Sequence, residues 1–456
     1  MLADILPAVY VFVLYNIMIK PIFLFATAFF LKPFSGFTQS LQGTPQSNTT
    51  LSACIQYALQ NQPLIQQSLI DEKITEGTIR TKLADWFPQL NLDANYQHNI
   101  KLPTSFFGGN FVSNGTHNVS SVNFTATQNI FNRDVLLASR SAGNIKNAAK
   151  QITDSTKISI VATVSKAFYD VLLTQKQTAV LDEDITRLNR SLQDAYNQYK
   201  GGIVDKTDYK RATISLNNAK AERKQQDDLL AAKYFYLKHV MGFPDNANLQ
   251  LQYDSLQLER EIFFDTLQEI NYDNRVEYQL LQTEKRLQQY NLKYYKWGFL
   301  PFVSAYGNYN LAYLNNNFGK LYERSFPNSN VGLQLTFPIF QGNKRIYEIR
   351  TAELQVKRLD WGIIFFKSLI RTEYAQALAL YKGNLANYNA LRENVQLANE
   401  VYNVIRLQYQ QGIKTYLDVI IAESDLRTSQ LNFFTALYQL LESKIDVQKA
   451  LGTLSW

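Results

Sequence analysis

Tyr199-Lys200-Gly201-Gly202-Ile203 and Tyr409-Gln410-Gln411-Gly412-Ile413 are one short passage written twice, 210 residues apart. The match continues at the same offset, with Asp208 answering to Asp418, Ala212 to Ala422, Leu216 to Leu426 and Gly242 to Gly452. Upstream, Asn129-Ile130-Phe131 meets Pro338-Ile339-Phe340 at an offset of 209, and Pro88 with Tyr96 meets Pro301 with Tyr309 at 213. Such drift is what insertions in loops produce. The 456-residue chain is therefore a unit of about half its length used twice, far beyond the ~20 to 50 residues of a solenoid repeat.

Each copy carries the same order of signals. A helix (about 51–84, and 262–296) leads to a strand, a polar loop, a second strand, a very long helix, a tight turn and a final helix. This divides the chain into a first repeat over 51–250 and a second over 251–456. Between Arg133 and Lys200, and between Gly342 and Gln411, there is no proline and little glycine. Each stretch reads as one helix of about 68 residues, near 100 Å at 1.5 Å per residue. Leu181, Ile185, Leu188, Leu192, Ala195 and Tyr199 are spaced alternately four and three apart, and Leu391, Val395, Ala398, Tyr402, Ile405 and Tyr409 repeat the pattern. A sustained period of about 3.5 means left-handed coiled-coil packing. The return helices continue it with Ala212, Leu216, Ala219 and with Ala422, Leu426, Phe433, Ala436, Leu440. A plain helical hairpin with no role beyond length shows the same seam, and that reading suits most of these residues.

The turns differ from the seam. Gly201-Gly202 and Gly412 supply the tight bend, while Asp205, Thr207, Asp208, Lys414, Thr415 and Asp418 crowd charge and hydroxyls into a few positions. Asp208 and Asp418 are placed to cap the returning helices, and an aspartate at such a position is more often a cap than part of a gate.

Four strands alternate cleanly. Leu90, Leu92, Ala94, Tyr96 and His98 share one face of the first, against Gln89, Asn91, Asp93, Asn95 and Gln97 on the other. Val122, Phe124 and Ala126 oppose Asn123, Thr125 and Thr127; Val303, Ala305, Tyr309 and Leu311 oppose Ser304, Asn308 and Asn310; Val331, Leu333, Leu335 and Phe337 oppose Gln334 and Thr336. A half-buried sheet in a soluble domain alternates in the same way. A strand of about ten residues is also the length of a tilted membrane strand, and Tyr96, Phe124, Phe131, Tyr309, Tyr313 and Phe337 fall at interface levels. Loops over 101–118 and 314–330, rich in Gly, Asn and Ser, join the strands of each pair. Four strands close no barrel and lipid tolerates no open edge, so membrane strands here require several chains to pool them.

Composition narrows the function. Charged residues are 19% and aromatics 13%, with only 19 Gly and 11 Pro, so breakers are few and elements long. A net charge of +7 without a basic tract excludes a dedicated nucleic-acid binder. One cysteine excludes a disulfide framework and a cysteine zinc site. His98, His117 and His239 lack ligand spacing, so no metal or cofactor is expected. No Gly-x-Gly-x-x-Gly, Walker lysine, His-Glu-x-x-His or nucleophile elbow is present, and no enzymatic activity is expected.

Residues 1–37 read as a signal peptide, because two apolar runs separated by Lys20 give way to small and polar residues. A start at Met18 leaves Lys20 as n-region, Ile22 to Leu31 as h-region, and cleavage between Gly36 and Gln39. The competing reading is a single anchor across both runs. A linker follows over 38–50. Leu51-Ser52-Ala53-Cys54 is similar to a lipobox, but a polar run intervenes and Cys54 opens a helical pattern with Ile55, Ala58 and Leu59, so packing rather than lipidation is expected.

With these parts assembled, the chain resembles the TolC-type outer-membrane efflux proteins over roughly residues 50–453. The motifs that carry the resemblance are Thr50-Leu-Ser-Ala-Cys-Ile-Gln-Tyr-Ala-Leu-Gln-Asn-Gln-Pro63, Phe87-Pro88-Gln89-Leu90 before the first strand, Phe337-Pro-Ile-Phe340 closing the fourth, both Tyr-x-x-Gly turns, and Ala450-Leu-Gly-Thr-Leu454. The resemblance implies an α+β membrane protein. Three chains with four strands each would make a twelve-stranded outer-membrane β-barrel, continued by an α-helical coiled-coil barrel across the periplasm. The homotrimer would act as the passive exit duct of a tripartite efflux or type I secretion system. A periplasmic adaptor would dock at the helical tip, and an inner-membrane pump of RND, ABC or MFS type would supply the energy.

The resemblance also implies a lock at the tip between the two hairpins. Tyr199, Gly202, Thr207 and Asp208 on the first hairpin and Tyr409, Gly412, Lys414 and Asp418 on the second match its positions, with Thr207 and Asp208 facing Tyr409. Lys414 stands where an arginine is usual and lacks the planar fork, which implies a looser network. The family pattern has two aspartates three apart; here the first matches Asp418 and the second position is Ile421, giving a trimer one acidic ring. The alternative from another class is a structural or adhesin-like trimeric coiled-coil surface protein, against which the duplicated hairpins and turn motifs argue. A curvature or scaffold protein would leave the exported start and the four strands unexplained. The cargo, whether drug, metal or protein, is not written in the chain.

Overall fold

The computed structural model describes residues 49–202, 205–252 and 261–454. The expected signal peptide over 1–37 lies outside these residues, as do the linker over 38–50 apart from Thr49 and Thr50, and Ile203 of the first turn.

Thr50 caps the first helix, α1 (Leu51–Asn61), through its hydroxyl, and Pro63 opens the next, α2 (Pro63–Leu83). The residue before a proline is driven out of the helical region. Gln62 is accordingly extended (φ −64°, ψ 121°), and its side-chain oxygen accepts from the Leu64 N–H at 2.7 Å. The single helix expected over 51–84 is thus two. Its counterpart in the second repeat, expected from 262, begins only at Val276, as α5 (Val276–Lys296). The preceding residues form turns, including a 3₁₀ turn at Tyr272–Asn274 capped by the Asn271 side chain.

Between α2 and α5 run β1 (Gln89–His98), β2 (Thr104–Phe107), β3 (Asn110–Ser113), β4 (Asn118–Phe131) and the first hairpin, α3 (Arg133–Lys200) with α4 (Lys206–Met241). After α5 come β5 (Phe302–Asn315), β6 (Ser325–Thr336) and the second hairpin, α6 (Lys344–Gln410) with α7 (Tyr416–Leu451). The long helices contain 68 and 67 residues, so each rises about 100 Å. Both return helices contain 36 residues.

β1, β4, β5 and β6 form one antiparallel sheet in the order β1-β4-β5-β6. Pairing keeps the apolar residues together across all four: Leu92 faces Phe124, Phe124 faces Tyr309, and Ala305 faces Leu333. This apolar face is bare, with Leu90 80% and Val331 88% exposed. On the other face polar side chains bond to one another, as Asn308 does to Asn330 at 3.0 Å. Among the described residues β1 and β6 are open edges. The loop expected over 101–118 holds a small separate hairpin, β2 with β3, turned by Gly108 and Gly109 at positive φ.

The main core lies where the bases of the hairpins meet α1 and α2. Cys54, Ile65, Leu172, Leu237, Leu440 and Tyr438 are among its fully enclosed side chains. Gly242 and Gly452 end the return helices at φ 67° and 71°, and they lie against the backbone just before α2 and just before α5 respectively. A Cβ on Gly242 would meet the Asn61 carbonyl oxygen at 2.9 Å, and one on Gly452 the Asn274 carbonyl oxygen at 2.6 Å. Below the core the seams pack as expected: Leu188 with Leu216 and Ala219, and Tyr402 with Ala422 and Leu426. Among the described residues no helix is long and apolar enough to cross a membrane, which says nothing of a β-barrel.

Candidate functional site at the helical turns

The two turns are built alike. At the end of α3, Gly202 takes φ 69° and its N–H donates to the Tyr199 carbonyl at 3.1 Å. At the end of α6, Gly412 takes φ 75° and its N–H donates to the Tyr409 carbonyl at 2.9 Å. Left-handed backbone of this kind costs other residues about 1–2 kcal/mol, which explains the glycine at both.

The caps that restart the helices differ. Thr415 and Asp418 form a reciprocal capping box, with the Asp418 carboxylate accepting from the Thr415 N–H at 2.9 Å and from its hydroxyl at 2.7 Å. These hydrogen bonds, with Lys414 nearby, hold the Asp418 carboxyl below its ordinary range. In the first turn the cap is Asp205, which accepts from the Thr207 N–H, and not Asp208. Asp208 makes no side-chain hydrogen bond among the described residues.

Tyr409 joins the hairpins at the turns by a hydrogen bond. Its hydroxyl donates to Gln198 Oε1 on α3 at 2.7 Å, and its ring lies 5.7 Å from that of Tyr416. Tyr416 in turn is buried against Ala195 and Ala212, two small residues that leave room for the ring. Burial raises the Tyr409 hydroxyl pKa, and the negative charges of Asp208 and Asp194 add to the effect. The partner expected for Tyr409 was Thr207 with Asp208; the hydrogen bond goes instead to Gln198, with Asp208 acting through its charge. Thr207 and Lys414 are exposed. Tyr199 lies over Tyr209, ring centroids 6.4 Å apart and 11° from parallel. Ile421, where a second acidic residue would stand, is 51% exposed.

Above the turns lies a group that sequence reasoning passes over. Asp184 and Arg187 on α3 meet Glu423 and Arg427 on α7, and the two carboxylates are almost wholly enclosed, with side-chain exposures of 2% and 3%. Asp184 accepts from Arg187 at 3.2 Å and from Arg427 at 3.3 Å. Glu423 has Arg187 Nε at 3.6 Å, and neither of its oxygens receives a hydrogen bond. Tyr416, Val419, Glu423 and Leu426 are spaced three, four and three apart, all four buried. A glutamate at a seam position of that spacing is the signal that marks it.

Among the described residues no group of three or more His, Cys, Asp or Glu is arranged to hold a metal ion. His98 and His117, distant in sequence, are brought to 6.1 Å between ring centroids by the pairing of β1 with β4, and both rings already bond to neighbouring amides.

A family model described as outer membrane efflux protein matches residues 54–242 and 274–453, each stretch ending at or beside a left-handed glycine. The chain is 21% identical over 422 residues to outer membrane protein TolC of Escherichia coli (strain K12), covering 88% of this chain and 81% of that protein. The solved structure of CusC superposes with a TM-score of 0.73 at 18% identity, covering 90% of this chain and 93% of that one. That of VceC from Vibrio cholerae does so with 0.70 at 15%, covering 88% and 96%. At these identities the structural likeness is one of fold.

Proposed function

Since the chain belongs to the outer membrane efflux protein family, we propose that it is the exit duct of a tripartite efflux or type I secretion system, working as a homotrimer that is gated at its helical turns. Membership makes it an outer-membrane channel protein with a periplasmic extension, and not an enzyme.

The observation that carries the trimer is the sheet. It is open at β1 and β6, and its lipid-type face is bare. Unpaired strand edges in hydrocarbon cost several kcal/mol per group, so the edges must be met by other copies. A closed ring pairs β6 of one chain with β1 of the next, and three chains give twelve strands. The polar face, with Asn308, Asn330, Asn123 and Thr125, then lines a lumen that binds nothing tightly, as passive conduction requires.

The gate is placed at Tyr199, Gly202, Thr207, Asp208, Tyr409, Gly412, Lys414 and Asp418. What supports it is the Tyr409–Gln198 bond, which ties the ends of the two hairpins together beside the packing of Tyr416 on Ala195 and Ala212. Opening would be a change in how the hairpins pack, driven by an adaptor docked at the turns, with transport energy supplied by the inner-membrane pump. The test is the mass and stoichiometry of protein extracted in detergent from the outer-membrane fraction, with negative-stain images. A trimeric, elongated particle is expected. A monomer in the soluble fraction would overturn the reading.

A further inference from the structure

Asp184, Arg187, Glu423 and Arg427 sit at the seam where the first hairpin meets the second, since α3 packs on α7 here. Two acids and two bases are present, yet the pairing is unequal. Asp184 accepts hydrogen bonds from both guanidinium groups, while Glu423, 3% exposed, receives none. Burial without hydrogen bonds disfavours the charged form of a carboxylate, even with a guanidinium 3.6 Å away, and protonation relieves the penalty.

We propose that this cluster is a proton-sensitive latch between the hairpins: with Glu423 protonated the hairpins pack together, and with Glu423 charged their packing loosens and the tip is released. The proposal rests on the tip-gate reading above and names its regulation. Among the described residues, the charged and titratable groups that face Glu423 fit. From α3 come Asp184 and Arg187, from α6 the Tyr402 hydroxyl with Arg406 beside it, and from its own helix Arg427 and the Tyr416 hydroxyl. Burial pushes the Glu423 carboxyl from its ordinary 4.5 up to about 7, the Asp184 charge adds to this, and Arg187 and Arg427 offset only part. The packed state therefore holds a proton that a solvated glutamate would release. Its contribution to packing is complete below about pH 4.5 and is lost as pH rises through about 7.

The experiment is single-channel conductance of the purified full-length protein in planar bilayers, read across pH. The open-to-closed ratio should rise about tenfold per chain between roughly pH 6 and pH 8, the difference linkage gives for a carboxyl at about 7 when packed and 4.5 when solvated. Glu423→Gln, which keeps the neutral form, should give the low ratio at every pH. Asp184→Asn frees both guanidinium groups to turn to Glu423, and should lower the midpoint by about one pH unit. A flat profile in the unaltered protein, or an unchanged slope in Glu423→Gln, would overturn the latch. Tyr409→Phe at fixed pH separates the two readings. If it raises conductance while the pH profile is flat, only the latch falls; if neither variant nor pH alters conductance, the gate falls with it.

Discussion

Tyr409 and Gln198 are 211 positions apart and share a 2.7 Å hydrogen bond that crosses from one hairpin to the other. It is half-buried, beside the Tyr416 ring and within reach of the Asp208 charge. Tyr409→Phe keeps the ring and removes the donor. At about 1 kcal/mol for such a bond, the closed form should lose about fivefold in population, seen as higher conductance in planar bilayers. Gln198→Leu should do the same, and the double variant should add little. Additive effects would show that the two residues act on different contacts.

The left-handed glycines that follow the four hairpin helices, Gly202, Gly242, Gly412 and Gly452, separate backbone conformation from space. Gly202 and Gly412 have open surroundings, so Ala there pays for φ alone, about 1 kcal/mol. At Gly242 and Gly452 the new methyl also meets backbone within 3 Å, and the loss should reach about 2–4 kcal/mol. Heat-induced unfolding in detergent should rank Gly452→Ala and Gly242→Ala well below Gly202→Ala. Equal melting temperatures would mean the α1–α2 and Asn274–Arg275 backbones yield freely.

Cys54 has no exposed surface, and burial pushes its thiol up to about 12. Native protein at neutral pH should resist maleimide, and denatured protein should take up one equivalent. Radiolabelled fatty acid should not appear on this residue, because the second turn of α1 would have to leave the core to expose it. Rapid labelling of the native protein would contradict this placement.

Asp418 is tied up as a helix cap, so its loss should be read first in α7. Its carboxyl is held low by Thr415, so this support is present above the ordinary carboxylate range and disappears as pH falls through the lower value. Asp418→Asn and Thr415→Ala should both speed amide exchange in the first turn of α7 and leave the first turn of α4 unchanged. Exchange unaltered in both variants would show that the box contributes nothing.

Periodicity made the long elements legible. The lack of proline and scarcity of glycine locate α3 to the residue and α6 within two, the difference arising because Gly342 and Asn343 are both left-handed, at φ 55° and 63°, and helix starts after them. Alternation assigns the two faces of the sheet, since side-chain direction has period two whatever the strand pairs with. The β2–β3 hairpin was less legible: Gly108-Gly109 marks its turn, but four-residue strands are too short for alternation to stand out in a Gly- and Asn-rich stretch. At the turns the glycines and caps follow from residue type. The choice of Gln198 over Thr207 for Tyr409 does not, because it depends on how two hairpins of more than thirty residues rotate against each other. Glu423 is hidden for another reason. Charges on coiled helices are ordinarily solvated, and only its place in the Tyr416, Val419, Leu426 spacing distinguishes it.

The open edges of the sheet carry a genetic consequence. In the proposed ring, β1 must find β6 of another copy, a head-to-tail contact in which every chain is needed twice. A copy that folds but has one spoiled edge would still recruit a neighbour through the other. Expressed in equal amounts with the normal chain, it would leave only about one trimer in eight wholly normal. Lesions in β1 or β6 should therefore be dominant, whereas lesions that prevent folding altogether should be recessive.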